Sequence, residues 1–286
     1  MKKSLLFTSA LAVGLLAVGC IRNPYAATNR VYRQQVKALA RQLRAQPAQP
    51  PTDSLPPTPY WVGTVNFNLR KPNYVIIHHT AQDSTAQTLK TFTLVRTQVS
   101  AHYVIGRDGK TYHLLNDYLR AWHGGAARWG SITDINSVSV GIELDNNGTE
   151  PFAEAQLTSL LRVLTYLKKT YNIPAANFIG HGDIAPTRKN DPSSLFPWPR
   201  LAAKGFGFWY DATVLTDTTA APFTADSLGR LVGPMPREAL RVIGYDTQNL
   251  PDAIRAFKRH FAPGSVGAEL TEQDRRILFN LYRKYL

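Results

Sequence analysis

Cysteine is almost missing from this 286-residue chain: the one copy is Cys20. No intrachain disulfide, thiolate metal-ligand set or cysteine nucleophile is therefore open to the domains that follow it. Long apolar runs are missing too. The stretch from Leu5 to Val18 is too short to span a bilayer comfortably, since a transmembrane helix takes about 20 apolar residues. Acidic side chains are scarce, 20 against 33 Lys and Arg, which leaves a formal charge of +13. Such an excess suits an anionic partner, whether lipid headgroups, a carboxylate-rich cell-wall polymer or nucleic acid. With 44% apolar and 19% charged residues the chain is not disordered, and it is long enough for one sizeable core and a smaller satellite domain.

The amino terminus reads as an export signal over residues 1–19. Lys2 and Lys3 precede the apolar stretch, and Gly19-Cys20 closes it. Ala17-Val18-Gly19-Cys20 resembles a bacterial lipobox, in which the cysteine becomes the acylated first residue; Ala17 departs from the usual leucine, and an ordinary signal peptide is the other reading. Either way the protein leaves the cytoplasm, which makes nucleic acid the least suitable of the anionic partners.

Six cations (Arg22, Arg30, Arg33, Lys37, Arg41 and Arg44) face only Asp53 in the next forty residues. The pattern from Thr28 to Ala45 predicts a helix with Val31, Leu39 and Leu43 on one face, either resting on a membrane surface or serving as a solvated basic spacer. Six prolines between Gln46 and Pro59 then predict an extended linker, reaching roughly 40 Å at ~3.1 Å per residue.

A globular domain is expected over residues 60–210. The β-branched run Tyr74 to Ile77 predicts a buried strand; residues 85–98 predict a helix with Leu89, Phe92 and Val95 inward. Residues 101–106 and 110–115 flank Arg107-Asp108-Gly109 as a hairpin. Val138 to Leu144 and Phe178 to Gly180 are further strands, separated by a helix from Glu154 to Tyr171 that stops before Pro174. Alternating strands and helices with an inserted hairpin predict an α/β fold, a mixed sheet flanked by helices. No internal repeat is evident. A second linker is expected over 211–226, then a small helical bundle over 227–286 with helices at 237–242, 251–261 and 271–286.

Of seven histidines, two stand where strands end. Ile76-Ile77-His78-His79-Thr80 closes an apolar run, and Phe178-Ile179-Gly180 leads into His181. In a sheet whose strands end together the two imidazoles converge, and Asp191, ten residues after His181 in a polar loop, can fold back as a third ligand. Two imidazoles and a carboxylate leave a fourth position for water, the arrangement of a catalytic zinc site. A single histidine is more often structural, so position carries the argument. Glu143, within the otherwise apolar Val138 to Leu144, is the candidate base for the attacking water, the alternative being a strand-end carboxylate in solvent. Lys189 is a candidate cation for an oxyanion, the alternative being an ordinary surface lysine. Trp122 and His123, beside Gly124-Gly125, suit substrate contact, though structural packing of Trp122 serves equally well. His79 reads as packing behind the ligand, His260 as a surface residue of the tail, and His102 and His113 carry no assignment.

Five ordered blocks carry a resemblance: Val75-Ile-Ile-His78-His-Thr80, Ser100-Ala-His-Tyr-Val-Ile-Gly-Arg-Asp-Gly109, Ala121-Trp-His123, Val140-Gly-Ile-Glu143-Leu, and His181 through Asp191-Pro. Together they resemble the zinc N-acetylmuramoyl-L-alanine amidases of the type-2 amidase and peptidoglycan-recognition superfamily, over about residues 60–210. The resemblance implies zinc on His78, His181 and Asp191, a catalytic glutamate at Glu143 and a catalytic lysine at Lys189. A tyrosine common in some relatives before the hairpin histidine is replaced here by Ala101, so its role does not transfer. The tail is similar, by helix pattern, to the peptidoglycan-binding domain of a lipoprotein subgroup. The implied protein is a monomeric amidase acting on peptidoglycan or muropeptides, anchored through Cys20 to the outer membrane and facing the periplasm. Two other classes remain: a recognition module that binds wall fragments without cutting, and an exported metallopeptidase or esterase.

Overall fold

The computed structural model describes residues 23–44, 64–66, 68–216, 224–225, 231–232 and 235–286. The signal segment, Cys20, the proline-rich stretch and most of the second linker lie outside the described residues. The chain divides into two compact units, residues 1–66 and 67–286. In the first, α1 runs from Ala26 to Arg44 with no acidic residue in its first turn, basic residues in its last and no buried side chain. Among the described residues no helix is long and apolar enough to cross a membrane.

The second unit opens with β1 (Tyr74–His79), α2 (Thr85–Phe92), β2 (Tyr103–Ile105), β3 (Thr111–His113), β4 (Ser139–Leu144) and α3 (Glu154–Tyr171). It continues with β5 (Phe178–Gly180), the short α4 (His181–Ile184) and α5 (Trp198–Ala202). A two-stranded ribbon, β6 (Thr224–Ala225) and β7 (Leu231–Val232), precedes α6 (Pro236–Ile243), α7 (Leu250–Phe261) and α8 (Glu272–Tyr285). The main sheet has the order β3-β2-β4-β1-β5, with β3 alone antiparallel to its neighbour. The predicted mixed sheet flanked by helices is therefore present.

Alternation along the strands divides the core in two. Val75, Ile77, Val140, Ile142 and Leu144 point to one face, where α3 covers them with Leu157, Leu160, Leu164 and Leu167. Those leucines recur at helical spacing, and burying each contributes about 1.5–3 kcal/mol. α3 ends where Asn172 adopts the left-handed conformation at φ 53°, which asparagine tolerates better than most residues. Ile76 and Ile179 point to the opposite face, against Ile184 and the apolar sides of α6, α7 and α8. The terminal bundle thus packs on the sheet, on the face that also carries His78 and Glu143.

Two expectations differ. The helix expected over 85–98 stops at Phe92, and a single tight turn over Val95–Thr97 leaves Val95 exposed rather than inward. The hydroxyls of Thr93 and Thr97 bond the carbonyls of Lys90, Thr91 and Leu94, offering the backbone a non-helical alternative. His260 is not on the surface: α7 buries it against the sheet unit, because its ring finds a carboxylate there.

Candidate metal centre

Parallel register places the site. His78 on β1 is level with Glu143 on β4, and Ile77 is level with Gly180, so His181 begins α4 beside His78. Three chemistry-bearing residues therefore stand at the carboxyl ends of three adjacent strands, where open α/β sheets form their binding crevices. The loop after α4 returns Asp191: its carbonyl accepts a 2.6 Å bond from the Gly182 N–H. The Ser193 N–H donates to His79 Nδ1 at 3.2 Å, so His79 does pack behind the ligand loop.

Nδ1 of His78, Nδ1 of His181 and Oδ2 of Asp191 lie 2.9–3.1 Å from one another, and all three residues are buried. The other ring nitrogens are engaged. His181 Nε2 is 3.1 Å from the Gly124 carbonyl, which can only accept, so His181 carries its proton there and turns a bare Nδ1 inward. His78 Nε2 is 3.1 Å from Nδ1 of His123. Lone pairs from two imidazoles and a carboxylate converging at such range fit a divalent cation, and two nitrogens with one oxygen match the donor set of catalytic zinc.

The electrostatics agree. Burial and then the neighbouring His181 ring lower the His78 pKa to about 4, keeping it neutral and basic enough to ligate at ordinary pH. Burial alone would raise Asp191, but the two imidazole rings that adjoin it, His181 and then His78, hold it well below the carboxylate range. Glu143 behaves oppositely. Burial, reinforced by the charge of Asp191 and opposed by Lys189, pushes it up to about 8. Its Oε1 is 4.0 Å from His78 Nδ1, and its buried Oε2 has no hydrogen-bond partner among the described residues. A carboxyl oxygen left unpaired at a cost of about 1–3 kcal/mol is one available for proton transfer. Lys189 is half-buried on the same loop as Asp191, and its charge is felt by Glu143, His78 and His79.

Trp122 and His123 part company. Trp122 is 52% exposed, its backbone tied to Ser100 through an N–H to hydroxyl bond and a carbonyl bond. His123 is buried beneath His78, its pKa held well below the usual value by burial and then by the facing His78. Its Nε2 is 3.2 Å from the Ser139 hydroxyl, so both ring nitrogens have protein partners. Several surrounding residues were invisible to sequence reasoning. Asn136 Oδ1 accepts the N–H groups of His123 and Gly124 at 3.1 and 2.8 Å, and Arg188 Nη2 donates to the carbonyls of Gly124 and Ala126. Asn136 and Ser139 carry no periodic signal; Gly141 inside a strand was the readable trace, since a Cβ there would stand 2.4 Å from the His123 ring.

Comparison with known proteins places this geometry among amidases. The N-acetylmuramoyl-L-alanine amidase family profile matches residues 68–194. The N-acetylmuramoyl-L-alanine amidase AmiD of Escherichia coli is 34% identical over 237 residues, 74% of this chain and 82% of that protein. The 1,6-anhydro-N-acetylmuramyl-L-alanine amidase AmpD of Salmonella typhimurium is 40% identical over 106 residues, 37% of this chain and 57% of its own. Among solved structures, the E. coli AmiD complex with anhydro-N-acetylmuramic acid-L-Ala-D-gamma-Glu-L-Lys superimposes with a TM-score of 0.66 at 30% identity, covering 78% of this chain and 93% of that one. AmpDh3 of Pseudomonas aeruginosa gives 0.67 at 26% identity, covering 81% and 99%.

Proposed function

Because this chain belongs to the N-acetylmuramoyl-L-alanine amidase family, we propose that His78, His181 and Asp191 hold a zinc ion beside which Glu143 and Lys189 cleave the amide joining N-acetylmuramic acid to L-alanine. The amidase activity follows from membership; the metal and the division of labour are our reading. Zinc, when bound, supplies Lewis acidity toward the scissile carbonyl and lowers the pKa of water. The observation that carries the reading is the unpartnered Oε2 of Glu143 beside three converging ligand atoms.

Glu143 takes a proton from the attacking water at Oε2 as the new C–O bond forms. It then delivers that proton to the amide nitrogen as the C–N bond breaks, leaving the lactyl carboxylate and the free α-amine of L-alanine. Burial raises this carboxyl in the metal-free site, and the positive charge of a bound divalent ion would draw it back toward the ionised form that a base requires. Lys189 holds its ammonium toward the oxyanion of the tetrahedral species, where a fixed positive charge in a water-poor site acts most strongly.

Substrate contact falls to the exposed ring of Trp122. The substrate of the E. coli relative supports peptidoglycan-derived muropeptides as the class bound here. We further assign residues 227–286 as a peptidoglycan-binding-like module, residues 1–19 as an export signal and Cys20 as a lipid attachment point, placing a monomer at the outer membrane facing the periplasm. The complete ligand set argues against a recognition protein that binds without cutting.

Digestion of a defined muropeptide by the full chain, with products weighed by mass spectrometry, tests this. Free stem peptide beginning at L-alanine is expected, lost with a zinc chelator and restored by zinc. Products retaining L-alanine on the sugar, or chelator-insensitive cleavage, would overturn it.

A further inference from the structure

The polar atoms beneath the metal ligands form directed chains whose far ends are backbone carbonyls. A carbonyl only accepts, so each chain has one permitted direction. The Ile135 carbonyl accepts the Ser139 hydroxyl proton at 2.6 Å, which leaves Ser139 Oγ as the acceptor for His123 Nε2–H at 3.2 Å. His123 must then present a bare Nδ1, and that nitrogen accepts Nε2–H from His78 at 3.1 Å. His78 is left with an unprotonated Nδ1, the atom facing Asp191 and His181. The second chain is shorter. The Gly124 carbonyl, held by Arg188 Nη2 at 2.7 Å, accepts Nε2–H from His181 and leaves its Nδ1 bare in the same way.

Both chains pass through adjacent residues. The ring of His123 serves one ligand and the carbonyl of Gly124 the other, and the two backbone N–H groups share Asn136 Oδ1. Gly141 lets the His123 ring lie flat against β4, because a Cβ at that position would meet the ring at 2.4–2.7 Å.

We propose that the His123–Gly124 segment is a single template that sets the tautomers of both imidazole ligands, so that each offers a lone pair at Nδ1 before the metal arrives. This rests on reading His78 and His181 as zinc ligands. His123 is on this account a positioning residue acting through His78, not a group that touches substrate. Partners of this kind orient the ring and raise its basicity, and losing one typically weakens metal binding about 10- to 100-fold.

The test measures zinc affinity of the full chain by competition with a chelating indicator, for the wild type, His123→Ala, His123→Asn and Ser139→Ala, with each zinc-free fold checked by its melting temperature. His123→Ala should weaken zinc about 10- to 100-fold. His123→Asn, whose side-chain oxygen can stand near the lost Nδ1, should recover most of that loss. Ser139→Ala should weaken zinc in the same direction with the His123 ring retained, and it carries the test should His123→Ala fail to fold. Imidazole nitrogen NMR of the zinc-free wild type should show His78 and His181 protonated at Nε2. Folded His123→Ala and Ser139→Ala proteins with wild-type affinity, or Nδ1-protonated ligands, would overturn the template alone. A wild type that binds no zinc would overturn the metal reading and the template with it.

Discussion

Asp183, two residues beyond His181, shares its carboxylate with His260 of α7: Oδ2 accepts Nδ1–H at 2.7 Å, and both residues are buried. The Gly180 N–H reaches the same oxygen, and Tyr245 donates its hydroxyl to Oδ1 at 2.8 Å. The His260 ring stacks on Trp198 at 3.8 Å, and Arg259 reaches the Lys189 carbonyl. The terminal bundle therefore braces both ends of the loop that carries His181, Lys189 and Asp191.

Removing that brace should cost stability. His260→Ala deletes a hydrogen bond to a buried carboxylate and leaves space beside Trp198, so a loss of about 2–4 kcal/mol is expected. Denaturant unfolding should show a lower midpoint with an unchanged slope. A shift under about 0.5 kcal/mol, the usual range for surface substitutions, would mean that the joint is not structural.

Glu143→Gln keeps the shape of the side chain and removes its proton chemistry. Zinc content should match the wild type while turnover falls roughly 100- to 10,000-fold. Asp191→Ala should lose zinc as well as activity, and elemental analysis of the two proteins separates the effects. Release of stem peptide by the glutamine variant at the full rate would remove Glu143 from the reaction.

Lys189→Ala should lower kcat by about 100- to 1,000-fold with little change in KM, because a charge matched to the oxyanion acts in the transition state rather than in ground-state binding. A variant affected mainly in KM would instead place Lys189 in substrate binding.

Acid and base sensitivity should meet at Asp117 and His113. Burial raises Asp117, but hydrogen bonds from His113, Tyr171 and Tyr103 outweigh it and hold the carboxyl below its usual value. The bond to Asp117 raises His113 despite partial burial. The depressed carboxyl stabilises the fold above its unfolded pKa of about 3.9 and loses that contribution as pH falls through its folded value. The raised imidazole contributes fully below about 6.5 and loses its share as pH rises through its folded value. The gap in melting temperature between wild type and His113→Gln should therefore be widest between about pH 4 and 6.5 and narrow on either side. A gap independent of pH would show that the pair is not linked to folding.

Adding one methyl group at Gly141 should disturb the site from below. Gly141→Ala forces the His123 ring or β4 to move, with about 1–3 kcal/mol of overpacking expected in thermal or denaturant unfolding. Unchanged stability would mean that the ring has room to give.

Much of this protein was legible in its residues alone. Period-two and period-3.6 patterns are local, so β1, β4, β5, α3 and the three terminal helices were readable near their observed bounds. The convergence of His78, His181 and Asp191 was readable because imidazoles stood at strand ends and the chemistry of a zinc site restricts the donors sought. Trp122 and His123 looked alike in sequence, however, and only folding separated the exposed indole from the buried imidazole. The surface reading of His260 failed for a related reason: its carboxylate partner lies 77 residues away, and nothing in the helical pattern of α7 encodes it. His78 and His181, 103 residues apart, meet through strand register, while proton direction at each ring is decided by a distant carbonyl. Composition and spacing thus determined which groups were available and which elements carried them. Tertiary structure alone decided which atoms face which, because hydrogen-bond direction depends on partners that chain order does not bring together.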